Sequence, residues 1–367
     1  MEITDLEKID NFNWYYKDLF AWGLKSYKKG KRIVYFGEKI KGNKFTVVLK
    51  KIKIEYNYKE ILKEVYFLAC CQRSKYFIKL VDILLSEDKN YIFLILKDEG
   101  ASLSEIIDYA QGNEDDFDYK KIRDSIKDII FQIVCGLYLL HKNGLVHHDI
   151  KTSNILMHSN GVIKIADFGS VDKINNNGFG TLLYKSPEIL LNRKVKEKGD
   201  MWAVGVIMVE LYKKKYPFFE NHNFFADKII SQLKSILSKY KIFINNQEKN
   251  INDNNILAFI IEKIKGNNFF ANFNFREELN DLDEIIDPDA RDLIKNLLQI
   301  NPEKRFTAEQ ALNSNYLKNN ITFFEQKAIT YNENDYQNLI MNVNSKEDFV
   351  KSVEFIKQKL LGEVLFE

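Results

Sequence analysis

His147-His148-Asp149-Ile150-Lys151-Thr152-Ser153-Asn154 is followed, thirteen residues after Asn154, by Asp167-Phe168-Gly169. Either fragment alone reads as an ordinary polar loop or turn, because Asp, Asn, Ser and Gly all favour such backbone. The flanks place both fragments in a mainly helical part of the chain. Upstream, YKKIRDSIKDIIFQIVCGLYLLHKNG at 119–144 keeps a helical period, and downstream so does DMWAVGVIMVELYKK at 200–214. Further upstream, from Ile33 to about Leu96, the pattern is different. The runs RIVYF, KFTVVLKKI, FIKLVDILL and NYIFLIL are β-like, and the amphipathic stretch YKEILKEVYFLACC lies between the second and third. This predicts a small sheet with one inserted helix, followed by a helical lobe. The change of character at Lys97 to Ser102 is the expected hinge, and a cleft there is where a ligand would sit.

A chain of 367 residues exceeds what one core usually covers but suits two lobes. With 45% hydrophobic and 29% charged residues the balance is globular. The net charge of +2 argues against the strong field of a nucleic-acid binder. Cys70, Cys71 and Cys135 are an odd set poorly spaced for disulfides, which fits a reducing compartment. The first ten residues lack the apolar stretch of a secretory signal, and runs such as YIFLIL at 91–96 are too short to span a bilayer. The expectation is an intracellular protein, cytoplasmic or nuclear, with neither membrane nor nucleic acid as partner.

In order and spacing, the two central motifs resemble those of the eukaryotic protein kinase family, serine/threonine type. The resemblance covers roughly residues 25–318. It implies an α+β, bilobal kinase fold: a small antiparallel sheet lobe with one helix over 1–97, a larger mainly helical lobe over 98–320, and a helical extension over 321–367. It also implies ATP and Mg2+ as cofactors and serine or threonine hydroxyls of proteins as substrates. Transfer of a γ-phosphoryl group needs its growing negative charge held while a hydroxyl is aimed in line. On that pattern Asp149 is the catalytic-loop base, Lys151 reaches the transferred phosphate, and Asn154 and Asp167 are the oxygen ligands of magnesium.

Upstream, Val47-Val48-Leu49-Lys50 resembles the kinase strand whose lysine grips the α and β phosphates, which makes Lys50 the candidate. Its carboxylate partner is expected on the inserted helix at Glu64, with Glu60 as the alternative and Leu68 then facing Phe168. Downstream, Gly180-Thr181-Leu182-Leu183-Tyr184-Lys185-Ser186-Pro187-Glu188 resembles the end of a kinase activation segment. Glu188 is expected to pair with Arg305, and Asp200 to hold the catalytic loop by accepting its backbone N–H groups. The segment around Lys185 is similar to that of the group containing cyclin-dependent, MAP and casein-kinase-two kinases.

Two positions depart from the family pattern. The phosphate-covering glycine loop falls on Lys28-Lys29-Gly30-Lys31-Arg32-Ile33, so only Gly30 is kept, and His148 stands where many kinases carry arginine. Glycine lets backbone approach phosphate closely, so the changed loop leaves open a pseudokinase scaffold with weakened nucleotide binding. A nucleic-acid contact through Lys28 to Arg32 is a third reading, against which stands an ordinary solvated edge. Lys185, Arg193, Lys194 and Lys196 suggest acidic or phosphate-primed substrate sites, and the resemblance allows for a regulatory subunit. INNQEKNINDNN at 244–255 reads as a surface insert, and DFVKSVEFIKQKLL at 348–361 as an amphipathic helix packed on the lobe or on a partner.

Overall fold

In β4 (Thr46–Lys53), Val47 and Leu49 are fully buried on one face, which turns Val48 and Lys50 to the other. That alternation sets the geometry of the sheet lobe. The computed structural model describes residues 14–16, 19–21, 32–39, 46–55, 57–86, 88–112, 117–173, 180–191, 197–218, 228–244, 247–249, 258–262, 275–279, 282–323 and 329–361. Gly30, Arg193, Lys194 and Lys196 lie outside them.

The chain divides into two compact units. The first comprises Met1–Gly100, Ala166–Gly169 and Glu325–Glu367, and the second comprises Ala101–Ile165 and Ser170–Phe324. The first unit is built on a six-stranded antiparallel sheet of β1 (Trp14–Tyr16), β2 (Leu19–Ala21), β3 (Arg32–Lys39), β4, β5 (Leu80–Leu85) and β6 (Tyr91–Lys97), in the order β1-β2-β3-β4-β6-β5. Lys50 pairs in register with Val34 on β3 and Leu94 on β6. Helix α1 (Tyr58–Cys70) follows β4, with Ile61, Leu62, Val65, Tyr66, Phe67 and Leu68 all buried.

The second unit is mainly helical. Among its helices are α2 (Leu103–Gly112), α3 (Phe117–Asp124), α4 (Ile126–Lys142), α5 (Pro187–Leu190), α6 (Lys198–Lys213), α7 (Lys228–Leu237), α8 (Pro288–Leu297) and α9 (Ala308–Leu312). The helical stretch expected over 119–144 is divided at Ser125. There the Ser125 N–H closes on Ile122 O at 3.0 Å, and Ser125 O accepts the Ile129 N–H at 2.9 Å to open the next helix. Serine favours such end positions over helix interiors. Every residue of α6 from Gly199 to Leu211 is buried, as befits a helix apolar on all sides. Asp287 caps α8 with Pro288 at its first position, and Thr307 with Gln310 forms a capping box at α9.

Of the Asn-rich stretch 244–255, only residues 244 and 247–249 fall within the described residues. Tyr240–Ile244 pairs with Gln247–Lys249 and with Phe275–Leu279, antiparallel on both sides. Backbone hydrogen bonds supply this pairing, while Tyr240 and Ile242 carry its burial.

The chain then re-enters the first unit. There α10 (Glu333–Met341) and α11 (Lys346–Ile356) are capped by Asn332 and by a Ser345–Asp348 capping box. The amphipathic segment of α11 is thus packed on the protein itself, with Phe349, Val353 and Ile356 buried. Among the described residues no helix is long and apolar enough to cross a membrane.

Candidate active site

The catalytic-loop residues lie between two short strands of the second unit, Leu145–Val146 and Ile155–Met157. Asp149 sits at their centre as a shared acceptor. Lys151 Nζ donates to Asp149 Oδ2 at 2.5 Å, and Asn154 Nδ2 donates to the Asp149 carbonyl at 2.8 Å and to Oδ2 at 3.1 Å. On the other carboxylate oxygen, Oδ1 accepts the Thr181 N–H at 2.9 Å and the Thr181 hydroxyl at 2.8 Å. Lys151 Nζ also reaches Thr181 Oγ1 at 2.7 Å. Hydrogen bonds to charged groups are the strong ones, and this set fixes the Asp149 rotamer in a buried setting.

Asn154 spends its amide nitrogen on Asp149, which leaves its carbonyl oxygen as the group to present to a cation. Oxygen donors suit magnesium, which usually takes one or two protein oxygens and completes its shell with phosphate and water.

The loop is held from behind by Asp200 in the first turn of α6. Its Oδ2 accepts the His147 N–H at 2.8 Å and its Oδ1 the His148 N–H at 2.9 Å, as expected from the sequence. His141 Nε2 adds a third contact at 2.9 Å. Burial alone would raise the Asp200 carboxyl, but the His141 hydrogen bond and the charges of His141, His148 and His147 outweigh it and hold it below the usual range. His148 adopts φ 67°, a left-handed conformation that few side chains take. Directly beside it, Gly180 has φ 123°, and a Cβ there would lie 2.2 Å from the His148 carbonyl oxygen. Only glycine fits.

A further chain of hydrogen bonds went unrecognised in the sequence. Thr152 Oγ1 lies 2.9 Å from the Tyr184 hydroxyl, which donates to Glu210 Oε2 at 2.8 Å on α6. Burial pushes the Glu210 carboxyl up to about 7, against the Tyr184 hydrogen bond, with Asp108 adding to the rise. The signal available was a glutamate in the otherwise apolar stretch of α6, a polar group that needs a partner when buried.

Glu188 and Arg305 form the expected buried pair, with contacts of 2.7 and 3.0 Å to the two carboxylate oxygens. Ser186 donates to Glu188 at 2.6 Å, and the Arg305 guanidinium stacks 5.0 Å over Trp202.

The other expected residues come together in the first unit. Lys50 Nζ contacts Glu64 Oε1 and lies 3.0 Å from Asp167 Oδ1. Glu64 is buried on α1, whereas Glu60 is exposed, so the helix turns the former to β4. Asp167 has φ 63°, and next to it the Phe168 ring is buried edge-to-face against Phe77 at 5.7 Å. Phe77, an aromatic neighbour of Phe168, was not singled out by sequence reasoning.

Comparison with known families matches residues 33–317 to the protein kinase domain. Extracellular signal-regulated kinase 2 of Dictyostelium discoideum is 28% identical over 291 residues, covering 74% of this chain and 72% of that protein. Serine/threonine-protein kinase SSN3 of Candida albicans is 32% identical over 275 residues, 65% of this chain and 41% of its own length. A probable cyclin-dependent kinase 8 of Dictyostelium discoideum is 29% identical over 261 residues, 66% of this chain and 64% of its own.

Proposed function

Because the chain belongs to the protein kinase family, we propose that it transfers the γ-phosphoryl group of ATP to serine or threonine hydroxyls of proteins, with Asp149, Lys151, Asn154, Lys50 and Asp167 as the working groups. Its similarity to the three kinases above supports the group of cyclin-dependent and MAP kinases. The observation that carries the reading is the convergence of Lys151 and Asn154 on the carboxylate of Asp149. In that arrangement one acceptor, one cation and one amide oxygen are supplied within six residues.

In the proposed mechanism, Asp149 accepts a hydrogen bond from the substrate hydroxyl and orients its oxygen for in-line attack. Lys151, already within reach of Asp149, places its ammonium beside the oxygens of the transferred group. Lys50 holds the α and β phosphates, and Glu64 keeps the ammonium in place. Asn154 and Asp167 supply oxygens for magnesium, which when bound withdraws charge from the phosphates. Gly30 is proposed to let the backbone of its loop approach the phosphates, a weaker cover than three glycines would give. Lys185 and its basic neighbours are proposed to favour acidic or phosphate-primed sites.

The test is incubation with γ-labelled ATP, magnesium and mixed protein substrates, followed by acid hydrolysis. Label in phosphoserine or phosphothreonine is expected, and unlabelled protein throughout would overturn the proposal.

A further inference from the structure

Helix α6 ends at Lys213, and beside that end the second unit holds a cavity of about 710 Å³. Small-molecule ligands usually occupy cavities of roughly 300–1,000 Å³. Val209, Phe218, Leu282 and Leu298 line it and are themselves buried. Its cations are Lys213, Lys215 and Lys239, the last just beyond α7, and Glu284 is the one carboxylate among its described lining residues. The wall therefore carries two positive charges in excess.

Lys213 decides what kind of ligand the cavity suits. Its side chain is 8% exposed, and its ammonium pairs with Glu284 at 3.4 Å, a carboxylate that is itself 70% exposed. Taking an ammonium out of water is costly unless it is well paired, and a carboxylate held in solvent is a screened, weak partner. An anionic head among the three lysines adds charge-assisted contacts that Glu284 alone does not supply. An apolar body attached to that head covers Val209, Phe218, Leu282 and Leu298, against which water gains little. A neutral apolar molecule would leave the excess charge unmatched, and a bare anion would leave the apolar lining wet.

One wall residue also holds the segment that runs from Gly180 to Glu188. Tyr216 lines the cavity, its hydroxyl donates to the Leu183 carbonyl and accepts from Gln232 Nε2 of α7 at 2.7 Å, and its ring lies 6.1 Å from that of Tyr184. Leu183 sits in the turn Leu182–Tyr184, which leads directly into Lys185. A molecule packed on Tyr216 bears on this turn through a single side chain.

We propose that this cavity is a binding site for a small amphipathic anion, a carboxylate or phosphate on an acyl or aromatic body, and that its occupant steadies the Leu182–Tyr184 turn through Tyr216. Neither part depends on the kinase reading, because both are read without phosphate transfer.

The experiment titrates the full chain by calorimetry with decanoate, decyl phosphate and naphthaleneacetate, each below the concentration at which it self-associates. Decanamide and naphthaleneacetamide serve as neutral counterparts. Saturable binding of one anion per chain is expected, with each amide at least about tenfold weaker than its acid. Decyl anions ahead of naphthaleneacetate would assign an acyl occupant and the reverse order an aromatic one, while decyl phosphate against decanoate assigns the head. Lys213→Gln is expected to weaken the anions about tenfold and to leave the amides unchanged. Should that variant fail to fold, Lys215→Gln with Lys239→Gln gives the same comparison. Absence of saturable binding, anions and amides bound equally, or anion affinity untouched by the lysine changes would overturn the site. The turn is followed by hydrogen exchange at Tyr184 and Lys185, whose N–H groups donate to the Thr181 and Leu182 carbonyls at 3.1 and 3.2 Å. Saturation with the anion should slow both about threefold in wild type and leave Tyr216→Phe, which lacks the hydroxyl, unchanged. Exchange in wild type unaffected by bound anion would overturn the action on the turn.

Discussion

Arg305 closes on both carboxylate oxygens of Glu188 across 117 residues of chain, at 2.7 and 3.0 Å, with its own side chain wholly buried. Burial by itself would raise the Glu188 carboxyl, but Arg305 and Ser186 outweigh it and keep the group below the usual carboxylate range. Removing one member of a buried pair strands the other, at a cost of about 3–5 kcal/mol. Arg305→Met is therefore expected to lower the melting temperature sharply. Thermal denaturation within a degree of wild type would contradict this account of the pair.

Gly180 stands against the His148 carbonyl oxygen with no room for a Cβ. Gly180→Ala must move either the left-handed His148 or Thr181, whose hydroxyl and N–H both reach Asp149. Strain of this kind is worth about 1–3 kcal/mol. The expected outcome is a fall in kcat with a folded protein, measured by steady-state transfer together with circular dichroism. A variant with normal kcat would show that the Gly180–His148 approach does not matter.

Glu210 gives a pH dependence with a definite sign. Its carboxyl is raised from 4.5 to about 7 in the folded protein, so the native state holds the proton more tightly than the unfolded chain. The stabilisation is complete below about pH 4.5 and is lost as pH rises through about 7, a change on the order of 3 kcal/mol. Glu210→Gln keeps an oxygen for the Tyr184 hydroxyl but cannot titrate. Denaturant midpoints followed across this range should fall less steeply with pH in the variant than in wild type. Equal slopes would sink the assignment.

Lys185 and the basic residues after it carry the proposed preference for acidic sites. Lys185→Ala with Arg193→Ala is expected to lower kcat/KM about tenfold on peptides with acidic flanks and to leave neutral peptides little changed. Uniform loss on both peptide sets, or none, would remove the preference.

The parts of the site legible in the sequence are those that chemistry confines to short spacings. Asp149, Lys151 and Asn154 fall within six residues, so one loop brings them together wherever it lies. Glu64 could be reduced to two candidates but no further, because choosing between Glu60 and Glu64 needs the rotation of α1 against β4. Phe77 beside Phe168, and the Thr152–Tyr184–Glu210 chain, join residues far apart in sequence through packing that no local pattern encodes. The Tyr66–Asn332 clasp spans 266 residues, and the amphipathic face of α11 was equally consistent with an external partner.

The central claim is that Asp149 and Lys50 serve one phosphoryl transfer. Its most direct measurement compares initial rates of γ-phosphate transfer from ATP to protein substrate for wild type, Asp149→Asn and Lys50→Met, each verified as folded. Loss of the orienting base should cost at least about a hundredfold, with a loss of similar size when the phosphate grip is removed. Rates equal in all three proteins would contradict the account.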